Sequence, residues 1–425
     1  MGGNQLEVTK PDSLLPSLDE VFIVRIAFLF SAQFALYEGF ADWNRGRADI
    51  HPEVAVLTLA IYAVSLLVIG MSLVRGSIVM RFRNLPLLPL LLATFTSIYV
   101  VATIAYNGSY RTDVLAYSHY AAILFATKGA NPYTQNMANA LSMFKVQPSD
   151  LTPLTSGTYL ATFQYPALHF LVFVPFVWLG LAMGFTPDMR WVLVLFEIGT
   201  VLTLYVKGPQ KLRLLLLLPL FAGSDLMINY TAASVSDALW VLPLLFAAFY
   251  MDRPIVSGIF YGVACAFKQL PWVLAPFLLI YVMRTEEGRD LHERITRTAE
   301  FALASVALFL VFNLPFMLMN ATAWFGNVLT PMTEDLVMLS QGAPAGLLPV
   351  NKVFYTVITG AVAVVLIVNY YVYFDKLKYV VWIFPGIILW FSYRTLTSYI
   401  IYWMPLMLAS LILWYRAERA KGVPG

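Results

Sequence analysis

The feature that most restricts the fold of this chain is a series of apolar segments about as long as a lipid bilayer is thick. A membrane-spanning helix needs about 20 predominantly apolar residues, and such segments recur along the whole chain. Only 12% of the 425 residues are charged, and the mean hydropathy is +0.73, whereas soluble domains average about 25% charged residues. The sequence therefore predicts an all-α, polytopic membrane protein.

These segments predict about twelve crossings, several of which are short in the middle of the chain. They comprise residues 21–37, 54–74, 85–105, 191–206, 212–223, 238–250, 255–267, 270–283, 301–318, 353–374, 379–390 and 399–414. We expect a single membrane domain, made of an extra N-terminal hairpin (1–84), a central module (85–285) and C-terminal helices (286–425).

Lysine and arginine are concentrated in the short loops on one side of the predicted bundle. More than half of the 27 Lys and Arg residues fall there when both termini are cytoplasmic, as the positive-inside rule requires. The long connection 106–190 is then on the outer side. The apolar segment 168–183 must lie at the interface or re-enter, because another crossing would move the basic cluster 207–213 outside. The polar run 284–300 is predicted to be a solvated cytoplasmic connection.

The outer connection 106–190 is predicted to carry the function. Connections this long are usually functional or disordered, and this one is too rich in apolar and aromatic residues for disorder. We expect an amphipathic helix over 114–127, a turn at 129–133, and a juxtamembrane helix over 168–183 that Pro175 interrupts.

Asp113 is the first candidate for a chemical role, since it lies at the start of the predicted helix 114–127. If that segment is helical, Asp113 and Tyr117 share a face at positions i and i+4. A partly desolvated carboxylate at the rim of a membrane is suited to act as a general base. The alternative, which local sequence alone favours, is that Thr112 or Asp113 caps the helix.

Two further carboxylates and two cations lie on the same predicted outer side. Asp225 and Asp237 stand next to apolar segments, where an ionisable group is costly unless it faces a cavity or a partner. Both are also suitable helix caps. Lys268 and Arg394 are placed against the positive-inside bias. Each of them either binds a phosphate group or extends its charged end to the outer headgroups.

Several function classes have no support in the sequence. The net charge of +3 is small and dispersed, which argues against nucleic-acid binding. Cys265 is the only cysteine and lies in an apolar run, so it is predicted to be a buried hydrophobic residue. His169 is interpreted as structural, and His292 is not a ligand candidate. No metal-ligand spacing, Walker loop or dinucleotide motif occurs.

Five short motifs, in the order found here, resemble those of a known enzyme family. They are Tyr110-Arg111-Thr112-Asp113, Gly129-Ala130-Asn131-Pro132-Tyr133, Tyr165-Pro166-Ala167-Leu168, Ser236-Asp237-Ala238-Leu239, and the glycine-rich run from Gly258 to Pro271 that contains Lys268-Gln269. Together they resemble the membrane-embedded, polyprenyl-phosphate-sugar-dependent glycosyltransferases of the GT-C superfamily, and most closely the mannosyltransferase-like glycosyltransferase family 87. The likeness covers residues 85–285. Unlike the family, this chain has two extra crossings before the acidic loop and lacks a second proline after Pro166.

The resemblance implies an inverting glycosyltransferase that moves mannose or another hexose or pentose from a polyprenyl monophosphate to a lipid, glycan or protein acceptor. Its site would face the extracytoplasmic side of the cell membrane, with the lipid-linked sugar as co-substrate and without a metal or other cofactor. Asp113 would be the general base. The donor phosphate would be bound by Lys268, Arg394, Arg111 and His119, and the substrates by Tyr117, Asn131, Tyr133, Gln164, Tyr165, Asp225, Asp237 and Gln269.

A polytopic transporter or lipid flippase is the alternative, and a non-catalytic lipid-binding scaffold is a third interpretation. Transporters often contain internal repeats and ionisable residues in the middle of the membrane. The two halves of this chain show no evident repeat, and Glu197 is the only candidate for a charged residue at mid-crossing. Both observations favour the glycosyltransferase.

Overall fold

The computed structural model describes residues 25–36 in part, 52–73, 109–209, 227–285, 290–333, 335–340, 344–348 and 350–420. These residues are mostly helical, with a single pair of two-residue parallel strands. The predicted all-α class is therefore confirmed. The predicted crossings 85–105 and 212–223, and most of 21–37, lie outside the described residues.

The described α-helices contain between 4 and 29 residues. The α-helices are α1 (Pro52–Leu73), α2 (Asp113–Lys128), α3 (Ala138–Met143), α4 (Leu168–Leu171), α5 (Val174–Met183), α6 (Arg190–Lys207), α7 (Ala238–Phe249), α8 (Pro254–Phe267), α9 (Ala275–Thr285), α10 (Leu291–Met319), α11 (Ala321–Val328), α12 (Thr330–Thr333), α13 (Pro344–Leu347), α14 (Lys352–Val372), α15 (Phe374–Leu377), α16 (Phe384–Trp390), α17 (Thr397–Ile401) and α18 (Met404–Ala420). The 3₁₀ helices are Pro132–Thr134, Pro148–Asp150, Leu270–Leu274 and Val380–Ile383, and the strands are β1 (Leu339–Ser340) and β2 (Arg394–Thr395).

Three helical stretches among the described residues are long and apolar enough to cross a membrane. They are Leu291–Met319, Lys352–Val372 and Thr397–Glu418. Much of the apolar surface of the second is exposed, including Val364, Val365 and Val368, as expected for a helix that faces lipid. The chain is thus a membrane protein by this criterion, whereas the twelve crossings, their orientation and the division into modules stay predictions.

Helix α10 is longer than the crossing 301–318 that the sequence predicts. It begins at Leu291, so the last ten residues of the predicted solvated connection 284–300 are helical, and they are exposed or half-buried. Glu293 and Arg294 are straight-chain residues with good helix propensity, and they extend the apolar helix as an exposed or half-buried first part. The change from polar to apolar residues therefore does not mark the residue at which α10 begins.

The helices α7 and α8 form a tight antiparallel hairpin in which neither helix is long enough to cross a bilayer. They contain 12 and 14 residues, or about 18 and 21 Å at about 1.5 Å per residue, against about 30 Å of hydrocarbon. A hairpin of this length would not reach both surfaces of a bilayer. The N-terminus of α7 and the C-terminus of α8 lie at the same end, because the hairpin reverses the chain direction.

Two glycines bring α8 into backbone contact with α10. A Cβ atom on Gly258 would lie 2.4 Å from Phe301 O, and one on Gly262 would lie 2.4 Å from Ser305 O. Small residues four positions apart allow helices to approach this closely in membranes. The α8–α10 contact therefore depends on the absence of two side chains.

We expect Gly262→Ala to destabilise the protein by about 1–3 kcal/mol, the usual cost of overpacking. The added methyl group meets a backbone carbonyl, which no side-chain rotation can relieve. Cys265 is buried and is the only cysteine, so a thiol-reactive fluorophore measures thermal unfolding directly. Gly360→Ala is the control, since Gly360 has nothing within 4 Å of its Cβ position and alanine favours a helix by about 1 kcal/mol over glycine. An equal melting temperature for both variants would contradict the close contact.

The described part of the connection 106–190, residues 109–190, folds onto the bundle rather than forming a separate body. Gly129 and Gly184 end α2 and α5 in left-handed conformations, with φ of 61° and 73°, as is common for glycine at the C-termini of helices. Ala167 N donates to Asn313 Oδ1 of α10 at 2.8 Å, which satisfies an amide at the start of α4. The predicted helices of this connection are thus confirmed and anchored to the bundle.

Candidate functional site

The hairpin of α7 and α8 places a carboxylate and an ammonium group together at its open end. Asp237 precedes the first residue of α7, and Lys268 follows the last residue of α8. Lys268 Nζ donates to Asp237 Oδ1 at 2.7 Å, and the two side chains are 7% and 0% exposed. Each charge lies at the helix end that favours its sign. The result is a buried ion pair built from two adjacent helix ends.

Aromatic side chains surround this ion pair. Trp240 Nε1 donates to the same Asp237 oxygen at 2.7 Å. Lys268 Nζ lies 5.8 Å from the centre of the Tyr165 ring and 5.6 Å from that of Tyr399, within the range of a cation–π interaction. Asp237 Oδ2 is buried without a hydrogen-bond partner among the described residues, so it is a free acceptor for a donor group of a ligand.

The ion pair corrects two expectations from the sequence. Lys268 does not extend to the outer headgroups, because its side chain is buried. Asp237 does not cap α7, because its carboxylate binds Lys268 and Trp240 and no side-chain cap is formed. Phosphate binding by Lys268 stays a prediction. A phosphate group would have to share the ammonium group with Asp237, which already neutralises its charge.

Asp113 is buried at the first position of α2, and the residue is 5% exposed. Its Oδ2 accepts a hydrogen bond from Thr152 N at 2.7 Å. Burial raises the pKa of Asp113, while the hydrogen bonds from Thr152 and the positive charge of Arg394 act in the opposite direction. The carboxyl group therefore binds a proton more readily than an ordinary aspartate.

The capping role that local sequence favours is only partly present. Thr112, at the cap position of α2, makes no side-chain cap, because its hydroxyl donates to Ser234 O at 2.7 Å instead. Asp113 retains a weak interaction with the Val114 amide, which lowers its pKa less than Thr152 does. The main hydrogen bond of Asp113 thus goes to a distant loop and not to its own helix.

Tyr165 connects Asp113 with the ion pair. Its ring lies beside Lys268, and the charges of Asp113, Asp237 and Arg394 all act on its hydroxyl group. Burial, together with the two carboxylates, raises the pKa of Tyr165 well above its usual value. We call these five residues, Asp113, Tyr165, Asp237, Lys268 and Arg394, the Tyr165 cluster. It combines two carboxylates, two cationic side chains and a tyrosine, and all five members are residues that the sequence analysis selects.

A loop, the covering segment (residues 151–160), closes over Asp113. It supplies the Thr152 amide that binds the carboxylate. It is also fixed at its outer edge, where Thr155 N donates to Asp335 O at 2.9 Å. Asp113 is buried, and this segment provides the amide that its carboxylate binds.

The covering segment is continuous with the loop that carries Arg394. Val337 N donates to Pro153 O at 3.1 Å, and strand β1 pairs in parallel with β2, which begins at Arg394. Arg394 Nη1 donates to Val337 O at 3.3 Å. Asp113 and Arg394 are therefore held by one set of connected loops, although 281 positions separate them in the sequence.

His169 links α2 to the start of α7. Its Nδ1 lies 2.7 Å from Ser118 Oγ, and its Nε2 lies 2.7 Å from Ser236 Oγ. Ser118 donates its proton to Val114 O at 2.6 Å, so Nδ1 must donate to Ser118 and Nε2 must accept from Ser236. Burial and the charge of Lys268 hold the pKa of His169 well below its usual value. The neutral ring therefore fixes the position of α2 against the Asp237 region.

Two predicted phosphate ligands, His119 and Arg111, make no hydrogen bond or ion pair with the Tyr165 cluster among the described residues. His119 Nδ1 contacts Tyr110 Oη at 3.1 Å, and its ring stacks on Phe144. Tyr110 Oη accepts from Met189 N at 3.0 Å, so its own proton is available for His119. Burial lowers the pKa of His119 to about 4, which makes it neutral and unsuited to binding an anion. Arg111 is exposed.

Most of the other predicted substrate-binding residues make polar contacts within the fold, although Asn131 Nδ2 is buried without a hydrogen-bond partner among the described residues and Gln164 contributes its backbone carbonyl. These contacts are Tyr117 Oη to Leu160 O (2.6 Å), Tyr133 Oη to Tyr165 O (2.7 Å), Tyr133 N to Asn131 Oδ1 (3.1 Å) and Gln269 Nε2 to Gln164 O (2.7 Å). They support the walls around the Tyr165 cluster. Asp225 lies outside the described residues.

Comparison with known proteins adds no relative from which a role can be transferred. No family model matches the chain, no curated protein matches it, and no solved structure matches it. The function is therefore inferred from the chemistry of the Tyr165 cluster and from the motif resemblance.

Proposed function

We propose that this protein is an integral membrane, inverting glycosyltransferase of the GT-C type. It transfers mannose or another sugar from a polyprenyl monophosphate to a lipid, glycan or protein acceptor at the outer face of the cell membrane. The observation that carries the proposal is a buried carboxylate with a raised pKa, Asp113, in the field of Arg394. A base and a cation in one site suit a reaction in which a hydroxyl loses a proton while a phosphate gains charge.

In the proposed reaction the acceptor oxygen attacks the anomeric carbon as the bond from that carbon to the phosphate oxygen breaks. Asp113 takes the proton of the attacking hydroxyl group. The electron pair of the broken bond stays on the phosphate, which leaves as polyprenyl phosphate, and attack from the opposite face inverts the anomeric carbon. The raised pKa makes Asp113 a stronger proton acceptor than an ordinary aspartate.

Arg394 is the better candidate for contact with the donor phosphate. Its guanidinium group has five N–H donors, of which Nη1 contacts Val337 O at 3.3 Å, and its planar fork suits a phosphate group. Lys268 is already paired with Asp237 at 2.7 Å, so it must share its charge to bind the donor. Fixed cations of this kind stabilise a departing monophosphate, and we expect no metal requirement.

The second carboxylate of the cluster is suited to recognise the sugar. Asp237 Oδ2 is buried and unpartnered within the described part of the chain, and an unsatisfied acceptor of this kind is costly unless a ligand donates to it. A sugar hydroxyl group is such a donor. We therefore assign Asp237 to sugar binding and the covering segment to controlling the access of the acceptor.

A transporter is the second candidate function, because Glu197 lies buried within α6. Ionisable residues inside a helical membrane bundle often belong to ion or proton pathways. The two functions make different predictions about the products. A glycosyltransferase releases a free polyprenyl phosphate and a glycosylated acceptor, whereas a transporter changes neither substrate chemically.

Mass spectrometry of lipid that copurifies with the full chain tests the proposal. We expect a polyprenyl phosphate or its sugar conjugate, and release of polyprenyl phosphate when the purified protein receives polyprenyl-phosphate mannose and a membrane lipid extract as acceptor. The control is the same preparation with Arg394→Met, which should bind and turn over less donor. Absence of any polyprenyl lipid, together with movement of an unmodified solute or lipid across vesicles, would favour the transporter.

A further inference from the structure

Two cations meet at the end of the bundle that the sequence analysis assigns to the cytoplasmic side. Lys207 is the last residue of α6, and Arg416 lies near the end of α18. The Nη2 group of Arg416 donates a hydrogen bond to the backbone oxygen of Lys207. The helices α6 and α18 therefore present their C-terminal ends side by side, as the predicted crossings 191–206 and 399–414 require.

Both charged groups lie over aromatic residues at the end of α7. Lys207 Nζ lies 4.7 Å from the centre of the Tyr250 ring, and the guanidinium carbon of Arg416 lies 5.8 Å from that of Phe249. These distances suit cation–π contacts, and the two rings belong to consecutive residues. Neither cation forms an ion pair with a carboxylate among the residues that the structure describes. This place therefore carries two positive charges without a counter-charge.

The carboxylates nearest along the chain do not neutralise this pair of cations. Asp252 lies in the turn between α7 and α8, and its Oδ2 is 3.9 Å from Arg253 Nε. Glu418 follows Arg416 by two positions, or about 200° around a helix, so it leaves α18 on the other side. The exposed guanidinium group of Arg416 makes one hydrogen bond within the described part of the chain. Four of its five N–H donors therefore remain for an anion.

Exposed apolar side chains precede the cation on each of the two helices. On α6, Leu202 and Val206 are 43% and 57% exposed, and on α18, Leu411 and Trp414 are 47% and 50% exposed. All four lie within about two turns of the cation on their own helix. Apolar residues of this kind face acyl chains in a bilayer, and tryptophan is enriched at the level of the headgroups. The surface thus changes from apolar to cationic at the ends of both helices, which matches a phospholipid with a negative headgroup.

We propose that Lys207 and Arg416, with the ends of α6, α7 and α18, form a binding site for an anionic phospholipid of the cytoplasmic leaflet. The lipid phosphate accepts hydrogen bonds from the guanidinium and ammonium groups, and the acyl chains pack along the exposed apolar residues of α6 and α18. Arginine presents several donors in one plane and lysine adds a point charge, which together suit a phosphate group. The site lies at the other end of α7 from Asp237, so it is independent of the proposed glycosyl transfer.

Native mass spectrometry of the purified full chain with added phosphatidylglycerol or phosphatidylcholine tests this site. Wild type should bind phosphatidylglycerol more tightly. This preference should fall about fivefold in Lys207→Met or Arg416→Met and about thirtyfold in the double variant, as expected for cations next to an anionic lipid. The swap Lys207→Arg/Arg416→Lys retains both charges and should keep the preference. Lys376→Met removes an exposed cation from the same predicted side and should leave it unchanged.

The Cys265 thiol assay of unfolding, performed in phosphatidylcholine, shows whether each variant is folded, because Arg416→Met also loses the hydrogen bond to Lys207 O. If Arg416→Met does not fold, Lys207→Met decides the question. A preference for phosphatidylglycerol that persists unchanged in Lys207→Met, or that falls equally in Lys376→Met, would overturn the proposal. So would glycerol phosphate that binds as tightly as phosphatidylglycerol, since a soluble phosphate would then occupy the site without acyl chains.

Discussion

Asp113→Asn is expected to lower turnover by about 10²-fold or more, the usual contribution of a positioned general base, while the donor still binds. Asparagine retains an oxygen that can accept the Thr152 N hydrogen bond, which is 2.7 Å long in the native protein. It also caps a helix about as well as aspartate. The change therefore removes the proton acceptor and little else. The measurement is release of polyprenyl phosphate at saturating donor, with donor affinity determined separately.

Asp150→Asn is the matched control, because Asp150 lies in the same outer connection and contacts only its neighbour Ser149 among the described side chains. Its turnover should equal that of wild type. Wild-type turnover in Asp113→Asn would refute the assignment of Asp113, and Asp237 would then be the next carboxylate to test.

The acidic side of the pH profile provides an independent readout of the same residue. The reaction needs ionised Asp113, so kcat/KM should fall as the pH drops through a pKa that burial has raised above the ordinary aspartate value. Arg394 lowers this pKa, so Arg394→Met should move the acidic limb of the profile to higher pH. A limb at the ordinary aspartate pKa in both proteins would mean that another group controls the rate.

The sequence predicts the local structure of the outer connection well because its signals are local. The apolar period of α2, the glycine at position 129 and Pro175 act within a few residues of where they stand. The start of α10 at Leu291 is different, since charged residues with high helix propensity extend an apolar helix beyond the membrane segment. Composition separates polar from apolar segments, but it does not separate loop from helix.

The ion pair of Asp237 and Lys268 could not be found by treating each residue alone. The two lie 31 positions apart, and each has a plausible separate role, as a cap or as a headgroup ligand. What pairs them is the length of the α7–α8 hairpin, which brings its two ends together. The sequence shows two short apolar segments that follow each other closely, which indicates a hairpin whose two ends meet. It does not fix the distance between the side chains at those ends.

Proximity in the sequence was misleading for His119. It lies six residues after Asp113, which corresponds to about 600° around a helix at about 3.6 residues per turn. The two side chains therefore leave α2 on different sides, and His119 packs with Tyr110 and Phe144. His169, by contrast, is 56 positions from Asp113, yet it contacts Ser118 on the same helix. Only the tertiary fold determines which of the two histidines lies near the Asp237 region.

The ion pair also provides the second large effect that we expect. Asp237→Asn leaves the buried Lys268 ammonium group without a counter-charge, and breaking a buried pair in this way typically costs about 3–5 kcal/mol. The variant should melt far below wild type in the Cys265 thiol assay. The double variant Asp237→Asn/Lys268→Met contains neither charge and should recover most of that loss, since neutral replacement of a buried pair is often tolerated.

The double variant separates the structural role of Lys268 from phosphate binding, because both charges are absent while the fold is retained. Affinity is measured for polyprenyl phosphate, which lacks the sugar that Asp237 is proposed to bind. If Lys268 contacts the phosphate, this affinity should fall by the value of a charge-assisted hydrogen bond, about 1.5–3 kcal/mol, or roughly ten- to a hundredfold. The pair Arg190–Asp188, 2.5 Å at its shortest, is the control, with a buried arginine and a half-buried aspartate: Asp188→Asn/Arg190→Met should leave affinity for polyprenyl phosphate unchanged. A double variant at Asp237 and Lys268 that is stable and binds donor normally would restrict this ion pair to joining α7 and α8, with Arg394 as the remaining phosphate ligand.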